Sequence, residues 1–206
     1  MSLLVKVCGM REAQNCQAVT SCKPDLMGFI FYEKSPRFVG HNFTMPELLS
    51  NDVKRVGVFV NESVDEMVKL ADQHRLDFVQ LHGDENADFA KALYEKHIKV
   101  IKAFRVDEHF DFNTTQSYTP YVDYFLFDTK GQHYGGNAMR FNWDLLQQYK
   151  GKTPFLLSGG IKQEHMNEVS AFKHSQFVGI DINSGVELSP GVKSIEKVKE
   201  IIQELN

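Results

Sequence analysis

The sequence has little cysteine, no run of like charges and no long apolar stretch. Its three cysteines, Cys8, Cys16 and Cys22, are an odd number without C-x-x-C spacing, so we expect free thiols and no metal site. A net charge of -4 without a Lys/Arg run argues against binding to nucleic acid or an anionic membrane. The apolar run before Lys6 is only three residues long, Leu3 to Val5, too short for a signal-peptide core, and no segment approaches membrane-spanning length. We therefore expect a cytoplasmic protein.

What is present is the composition of an ordinary globular chain. Of 206 residues, 42% are hydrophobic and 24% are charged, which supplies a sizeable core and fits one domain better than two. The chain contains no composition shift, linker or low-complexity segment that would mark a domain boundary. We expect residues 1–206 to form a single domain.

Eight apolar, β-rich runs recur at a spacing of roughly one βα unit. They begin near residues 3, 26, 53, 78, 100, 124, 154 and 177. Helical patterns lie between them, including one with Ser63 and Glu66 placed as a capping box and a last one with an apolar face from Ile195 to Leu205. This alternation predicts an α/β fold, a closed (β/α)8 TIM barrel, with a doubly wound open sheet as the alternative. The barrel is favoured because no strand is followed by G-x-G-x-x-G or a P-loop motif.

The last two strands are each followed by a turn suited to phosphate. Gly159 and Gly160 follow the seventh, and Asn183, Ser184 and Gly185 follow the eighth. Glycines let backbone N–H groups approach the oxygens of a ligand, and the phosphate site of this barrel type usually lies after strands seven and eight. We expect a phosphate-binding barrel in which backbone amides do most of the binding.

Reactive side chains gather at the carboxyl ends of the predicted strands, where barrels of this kind place their active sites. They are Cys8, Arg37, His82, Arg105, Asp128 and Asp181. Cys8 and Asp128 would flank the phosphate site, and a thiol with a carboxyl group suits acid/base chemistry. Taken singly, each has an ordinary explanation: a core cysteine, a loop-capping aspartate, an exposed turn arginine and a structural histidine. Arg105 is interpreted as structural.

Seven motifs occur in the order found in one enzyme family. They are KVCGM (6–10), GFIFYEKSPRFV (28–39), VGVFVN (56–61), QLHGDE (80–85), FDTKGQHYGG (127–136), LSGGI (157–161) and DINSGVELSPGVK (181–193). The sequence resembles the phosphoribosylanthranilate isomerase family of tryptophan biosynthesis along its whole length. The resemblance implies a TIM barrel that performs an Amadori rearrangement of a phosphorylated small-molecule substrate without metal or organic cofactor.

The resemblance also implies roles for individual residues. Asp128 would be the general acid and Cys8 the general base, with Arg37 holding the anthranilate carboxylate. The remaining substrate contacts are expected from His82, Gly136, Gly159, Gly160, Asp181, Asn183 and Ser184. A thiol has an ordinary pKa of about 8.5, so Cys8 needs a nearby positive charge, and Lys6 alternates onto the same side of its strand. The sequence allows a monomer or a homodimer.

Four positions depart from the family pattern, and two other functions stay open. Asn137 and Ala138 stand where Ser or Thr and Gly are usual, Asn142 stands for an aspartate, and Asn183 replaces a small hydroxyl residue in the phosphate turn. One alternative is the related aminoaldose isomerase of the histidine pathway, which uses an aspartate pair and is disfavoured by Cys8. The other is a barrel that binds a phosphorylated metabolite without turnover.

Overall fold

Eight parallel strands close into a barrel in the order in which they occur along the chain, with the last strand pairing with the first. The computed structural model describes residues 2–46, 50–129 and 142–205. The strands are β1 Leu4–Val7, β2 Leu26–Ile30, β3 Lys54–Phe59, β4 Phe78–Leu81, β5 Lys99–Val106, β6 Tyr124–Thr129, β7 Phe155–Leu157 and β8 Phe177–Ile182. The predicted barrel is confirmed, each strand begins within one residue of its expected position, and the open sheet is wrong.

Apolar side chains on both faces of the strands explain why these runs are nearly continuous in hydrophobicity. One buried cluster draws members such as Leu26, Val56, Ile101 and Leu126 from the six strands β2 to β7 and fills the barrel, and it includes Cys8, which directly follows β1. Two further clusters pack the outer faces of the strands against the surrounding helices. The carboxyl ends of the strands are therefore supported from inside the barrel by a packed core.

Five α-helices lie among the described residues: α1 Ala13–Thr20, α2 Val64–His74, α3 Ala87–Glu95, α4 Met166–Ala171 and α5 Ile195–Leu205. After β5 the chain forms 3-10 segments, Phe112–Ser117 and Thr119–Tyr121, and after β6 it forms another, Trp143–Gln148. Among the described residues, no regular α-helix follows either of these strands. No helix in the three described ranges is long and apolar enough to cross a membrane.

The two helices that the sequence analysis singled out form as expected, with one correction. The face of α5 buries Val198, Ile201 and Ile202. At α2, Ser63 is the N-cap and its hydroxyl accepts a hydrogen bond from the Glu66 N–H, 3.3 Å away. The reciprocal half of the capping box does not form: the Ser63 N–H donates to Glu62 Oε1 at 2.7 Å, and the Glu66 carboxylate pairs with Lys69.

A short antiparallel hairpin, which the sequence analysis did not predict, follows β8. Its strands are β9 Glu187–Ser189 and β10 Val192–Lys193. The turn between them contains Gly191 with φ of 85°, a left-handed conformation that favours glycine. The hairpin brings Glu187 and Lys193 back toward the end of the barrel.

Candidate active site

A cavity that is partly open to solvent lies at the carboxyl end of the barrel strands. The cavity is lined by nine of the ten predicted site residues: Cys8, Arg37, His82, Asp128, Gly159, Gly160, Asp181, Asn183 and Ser184. The tenth, Gly136, lies outside the described residues, as do the departures Asn137 and Ala138. The barrel thus brings together side chains that are up to 176 positions apart in the sequence.

The two glycine-rich turns touch one another. Gly159 and Gly160 have φ of 96° and 63°, which a side chain would strain. A Cβ on Gly185 would overlap the carbonyl oxygen of Ile161, so the turn after β8 packs directly against the turn after β7. The helical structure closest in sequence to each glycine-rich turn is a single 3-10 turn, Gln163–His165 after β7 and Ser184–Val186 after β8. Side chains at positions 159 and 185 would therefore not fit, which leaves the backbone of these glycines open to the ligand in the surface expected to bind phosphate.

Lys6 and Asp181 face each other directly across the seam where β8 closes on β1. The Lys6 ammonium donates to Asp181 Oδ1 at 2.8 Å, and the Ser158 hydroxyl donates to Asp181 Oδ2 at 3.1 Å. Both oxygens of the carboxylate that was predicted to bind substrate thus have protein partners. Burial alone would lower the pKa of Lys6, but the neighbouring Asp181 and Cys8 raise it above its ordinary value.

Cys8 lies beside the Lys6 ammonium, so the nearby positive charge that was expected to stabilise a thiolate is present. Burial raises the pKa of the Cys8 thiol, and although Lys6 and Lys193 act in the opposite direction, the pKa stays above its ordinary value. On the neighbouring strand, a Cβ at Gly28 would come within 2.8 Å of Cys8 Sγ. Glycine at position 28 therefore makes room for the thiol and for Lys6.

Asp128 is buried and belongs to a chain of polar side chains that crosses from β6 to β4. Its Oδ1 accepts a hydrogen bond from the Thr129 N–H at 2.8 Å, and its Oδ2 lies 3.4 Å from His82 Nε2. His82 Nδ1 is 2.7 Å from Gln80 Nε2. If Gln80 donates to Nδ1, the neutral imidazole carries its proton on Nε2, on the side of Asp128.

Arg37 reaches the cavity from the loop after β2, and its fork is held by Glu187. Arg37 Nε and Nη2 donate to the two oxygens of Glu187 at 2.8 and 2.7 Å. Glu187 also accepts from Lys193 Nζ at 2.7 Å, and Lys193 in turn donates to Asn183 Oδ1 at 2.7 Å. The asparagine that departs from the family pattern therefore has a defined partner in the hairpin.

A family model described as N-(5'phosphoribosyl)anthranilate (PRA) isomerase matches residues 5–204. The chain belongs to this family. The N-(5'-phosphoribosyl)anthranilate isomerase of Parabacteroides distasonis is 45% identical, with 98% of this chain and 93% of the relative covered. The isomerase structure from Thermotoga maritima has a TM-score of 0.85 at 31% identity, with 98% of both chains covered.

A second similar structure contains a ligand. It is a phosphoribosylanthranilate isomerase in complex with reduced 1-(o-carboxyphenylamino)-1-deoxyribulose 5-phosphate, with a TM-score of 0.81, 29% identity and 98% of both chains covered. Membership of the phosphoribosylanthranilate isomerase family confirms the prediction of an isomerase of tryptophan biosynthesis.

Several residues of this isomerase site were not predicted from the sequence. Gln80, Glu187 and Lys193 lie inside the family motifs, but neither spacing nor composition separated them from ordinary strand and loop residues. Lys6 had one indication, its place on the same side of the strand as Cys8. Tyr32 and Ser35, which line the cavity from the loop after β2 together with Arg37, had no such indication.

Proposed function

We propose that this cavity converts N-(5-phosphoribosyl)anthranilate into 1-(2-carboxyphenylamino)-1-deoxyribulose 5-phosphate, with Cys8 as general base and Asp128 as general acid. The observation that carries the proposal is that a thiol directly after β1 and a carboxyl group at the end of β6 line one cavity, with the turns after β7 and β8 between them. A substrate whose phosphate lies against Gly159, Gly160, Asn183 and Ser184 then presents its sugar to both groups.

In the first step, protonated Asp128 gives its proton to the ring oxygen of the ribose. The bond between C1 and that oxygen breaks, and the nitrogen lone pair forms a protonated Schiff base with C1. His82 supports this step, because an Nε2–H beside Asp128 Oδ2 stabilises the carboxylate that remains after the proton has left.

In the second step, the Cys8 thiolate removes the proton from C2. The electron pair of that C–H bond moves toward the iminium and leaves an enolamine, which tautomerises to the ketone when C1 gains a proton and the 2-hydroxyl loses one. The iminium acts as the electron sink, so the residues named here suffice for the proton transfers. Lys6 stabilises the thiolate, and Asp181 holds Lys6 in place.

At the other end of the substrate, Arg37 is proposed to bind the anthranilate carboxylate. Glu187 occupies the Nε and Nη2 edge of the guanidinium. The edge that contains Nη1 is engaged by no residue in the described part of the chain and remains for the planar carboxylate.

The test is the decay of anthranilate-type fluorescence from freshly made phosphoribosylanthranilate. We expect rapid conversion by the parent protein and none by Cys8→Ala. Asp128→Asn should abolish turnover while substrate affinity changes by a modest factor. Conversion by Asp128→Asn would remove Asp128 from the acid role, and conversion by Cys8→Ala would remove Cys8 from the base role.

The remaining features of the proposal are less specific. We propose one catalytic domain over residues 1–206, because the lining residues all come from one barrel. We propose action in the cytoplasm, since the three cysteines are free thiols and such thiols suit a reducing compartment. No cofactor is invoked, and the protein is a monomer or a homodimer, which sedimentation would decide.

A further inference from the structure

The carboxylate of Glu187 is saturated with hydrogen bonds although it lies next to a cavity for an anionic substrate. Its Oε1 accepts from Arg37 Nε at 2.8 Å, from Lys193 Nζ at 2.7 Å and from the Gly191 N–H at 3.0 Å, and its Oε2 accepts from Arg37 Nη2 at 2.7 Å. Side-chain exposure is 7% for Glu187 and 11% for Arg37. Such a buried, bidentate ion pair holds the planar guanidinium in one orientation.

The cluster keeps a net positive charge after this pairing. Lys193 is fully buried and has three acceptors, Glu187 Oε1, Asn183 O and Asn183 Oδ1, which match the three N–H donors of an ammonium group. Two cations and one carboxylate leave one positive charge to attract an anion. Burial alone would raise the pKa of Glu187, but hydrogen bonds from Arg37 and Lys193 lower it to about 2, so the carboxylate is ionised at working pH.

The same contacts connect the two ends of the cavity. Arg37 lies in the loop after β2, and Asn183 lies in the glycine-rich turn after β8. Glu187 and Lys193 of the hairpin join them through hydrogen bonds of 2.7 to 2.8 Å. The distance between a phosphate on the turn and a carboxylate on Arg37 is therefore set by a chain of directly bonded side chains.

We propose that Glu187 is a positioning residue for the substrate carboxylate: it fixes the Arg37 fork so that one edge is presented to the cavity and, through Lys193, sets that edge at a constant distance from the phosphate turn. This inference rests on the proposed role of Arg37. It assigns Glu187 no contact with substrate. A purely structural role would be to hold the β9–β10 hairpin closed through the bond from Gly191, and the two roles differ in what they do to ligands with and without a carboxylate.

The experiment uses two stable ligands with the full chain. One is reduced 1-(o-carboxyphenylamino)-1-deoxyribulose 5-phosphate, and the other is its anilino counterpart, which lacks the carboxyl group. For Glu187→Gln we expect calorimetry to show about tenfold weaker binding of the carboxylated ligand, because a loosened fork must be ordered again on binding. Binding of the anilino ligand should change less than about twofold, since it does not use Arg37.

The control is the same substitution in an Arg37→Gln background, where Glu187→Gln should have no further effect on the carboxylated ligand. In steady-state assays of Glu187→Gln, KM should rise far more than kcat falls. If Glu187→Gln does not fold, Glu187→Asp withdraws the carboxylate by one methylene and gives the same comparison.

Two outcomes would overturn the inference. Equal weakening of both ligands would make Glu187 a structural residue of the hairpin, and tighter binding of the carboxylated ligand would make it a competitor of the substrate for Arg37. If the parent protein binds both ligands equally well, the proposed role of Arg37 falls first and that of Glu187 with it. If the proposal for Arg37 is wrong, the parent protein will bind both ligands equally well. If only the proposal for Glu187 is wrong, the parent will distinguish the ligands and Glu187→Gln will weaken both equally.

Discussion

The barrel contains two buried lysine–carboxylate pairs that look alike and have different surroundings. Lys6 pairs with Asp181 at 2.8 Å between β1 and β8, and Lys102 on β5 pairs with Glu85 at 3.0 Å in the loop after β4. In both pairs the side chains are at most 5% exposed. Residue type, distance and burial do not distinguish the two pairs.

What distinguishes them is what else each ammonium touches. Lys6 contacts the Cys8 thiol at the edge of the cavity. Lys102 donates to the carbonyl oxygens of Leu81 and Gly83 and lies over the rings of Phe104 and Tyr118, each at 5.9 Å from the centroid. A lysine beside an ionisable thiol can influence chemistry, whereas a lysine beside carbonyl groups can only hold a loop.

The pKa values of the two lysines shift in opposite directions. Burial lowers the pKa of Lys102 below its ordinary value despite the nearby Glu85. For Lys6, Asp181 and Cys8 more than offset burial and raise the pKa. The surroundings of Lys6 thus stabilise its charged form relative to water, whereas those of Lys102 destabilise its charged form through burial.

The largest expected effect is on turnover, and it separates the two lysines. Lys6→Met should lower kcat/KM by about 100-fold, because a lost neighbouring cation shifts a thiol pKa by one to three units and reduces the thiolate fraction accordingly. Lys102→Met, the matched substitution in the other pair, should change kcat/KM by less than about threefold, since Lys102 does not touch the cavity-lining thiol or carboxyl group. The fluorescence assay measures both at a temperature where both are folded.

Equal losses of activity in the two variants would contradict this distinction. They would mean that removal of any buried cation disturbs the barrel as a whole. A loss of activity in Lys102→Met alone would mean that Lys102, and not Lys6, supports catalysis.

The difference between these pairs could not have been predicted from the sequence. The strands could, since runs such as FVQLHG and YFLFDT have the continuous hydrophobicity of buried parallel strands. Lys6 interrupts such a run, and a lysine at an interior strand position indicates a buried charge that needs a partner. Its partner Asp181 is 175 residues away and becomes a neighbour only through closure of the barrel.

The hairpin and the 3-10 segments escaped prediction for a different reason. The stretch VELSPGVK contains a Pro-Gly turn, but the strands on either side have only three and two residues, which is too short for an alternating pattern to predict a strand. After β5, the segment from Phe112 to Tyr121 has too few apolar positions at helical spacing to favour an α-helix over tight turns. The predicted site residues assembled because each strand end was correct, whereas Glu187 and Lys193, which hold Arg37 and Asn183, lie in the hairpin that was not predicted.

The second prediction concerns stability and the pair around Lys102. Lys102→Met should lower the free energy of unfolding by about 3 kcal/mol, because Glu85 would remain as a buried charge without its cation. Adding Glu85→Gln should recover part of that loss, because it removes the unpaired charge, although the single amide oxygen can accept from only one of the Asn61 and Gly83 N–H groups that now bind Oε1 and Oε2. Urea unfolding at pH 7 measures all three proteins. A double variant as unstable as the single one would show that Lys102 acts through its carbonyl contacts and not through its charge.

The smallest effect follows from the opposite pKa shifts and appears at alkaline pH. The pKa of Lys102 is lowered in the folded protein, so between that value and 10.5 the unfolded chain binds more protons and stability rises with pH. The pKa of Lys6 is raised, so its contribution is complete below 10.5 and is lost as pH rises through the folded value. Each lysine can change the slope by at most about 1.4 kcal/mol per pH unit.

Urea unfolding from pH 8 to 11 would measure these slopes with Cys8 in place in every protein compared, because Cys8 is one of the groups that raise the pKa of Lys6. The stability difference between the parent and Lys102→Met should grow in favour of the parent as pH approaches 10.5. The difference between the parent and Lys6→Met should stay level up to 10.5 and shrink above it. Parallel curves of stability against pH for the two variants would mean that both lysines have the same electrostatic environment. The distinction between Lys6, which contacts the thiol, and Lys102, which holds a loop, would then rest on geometry alone.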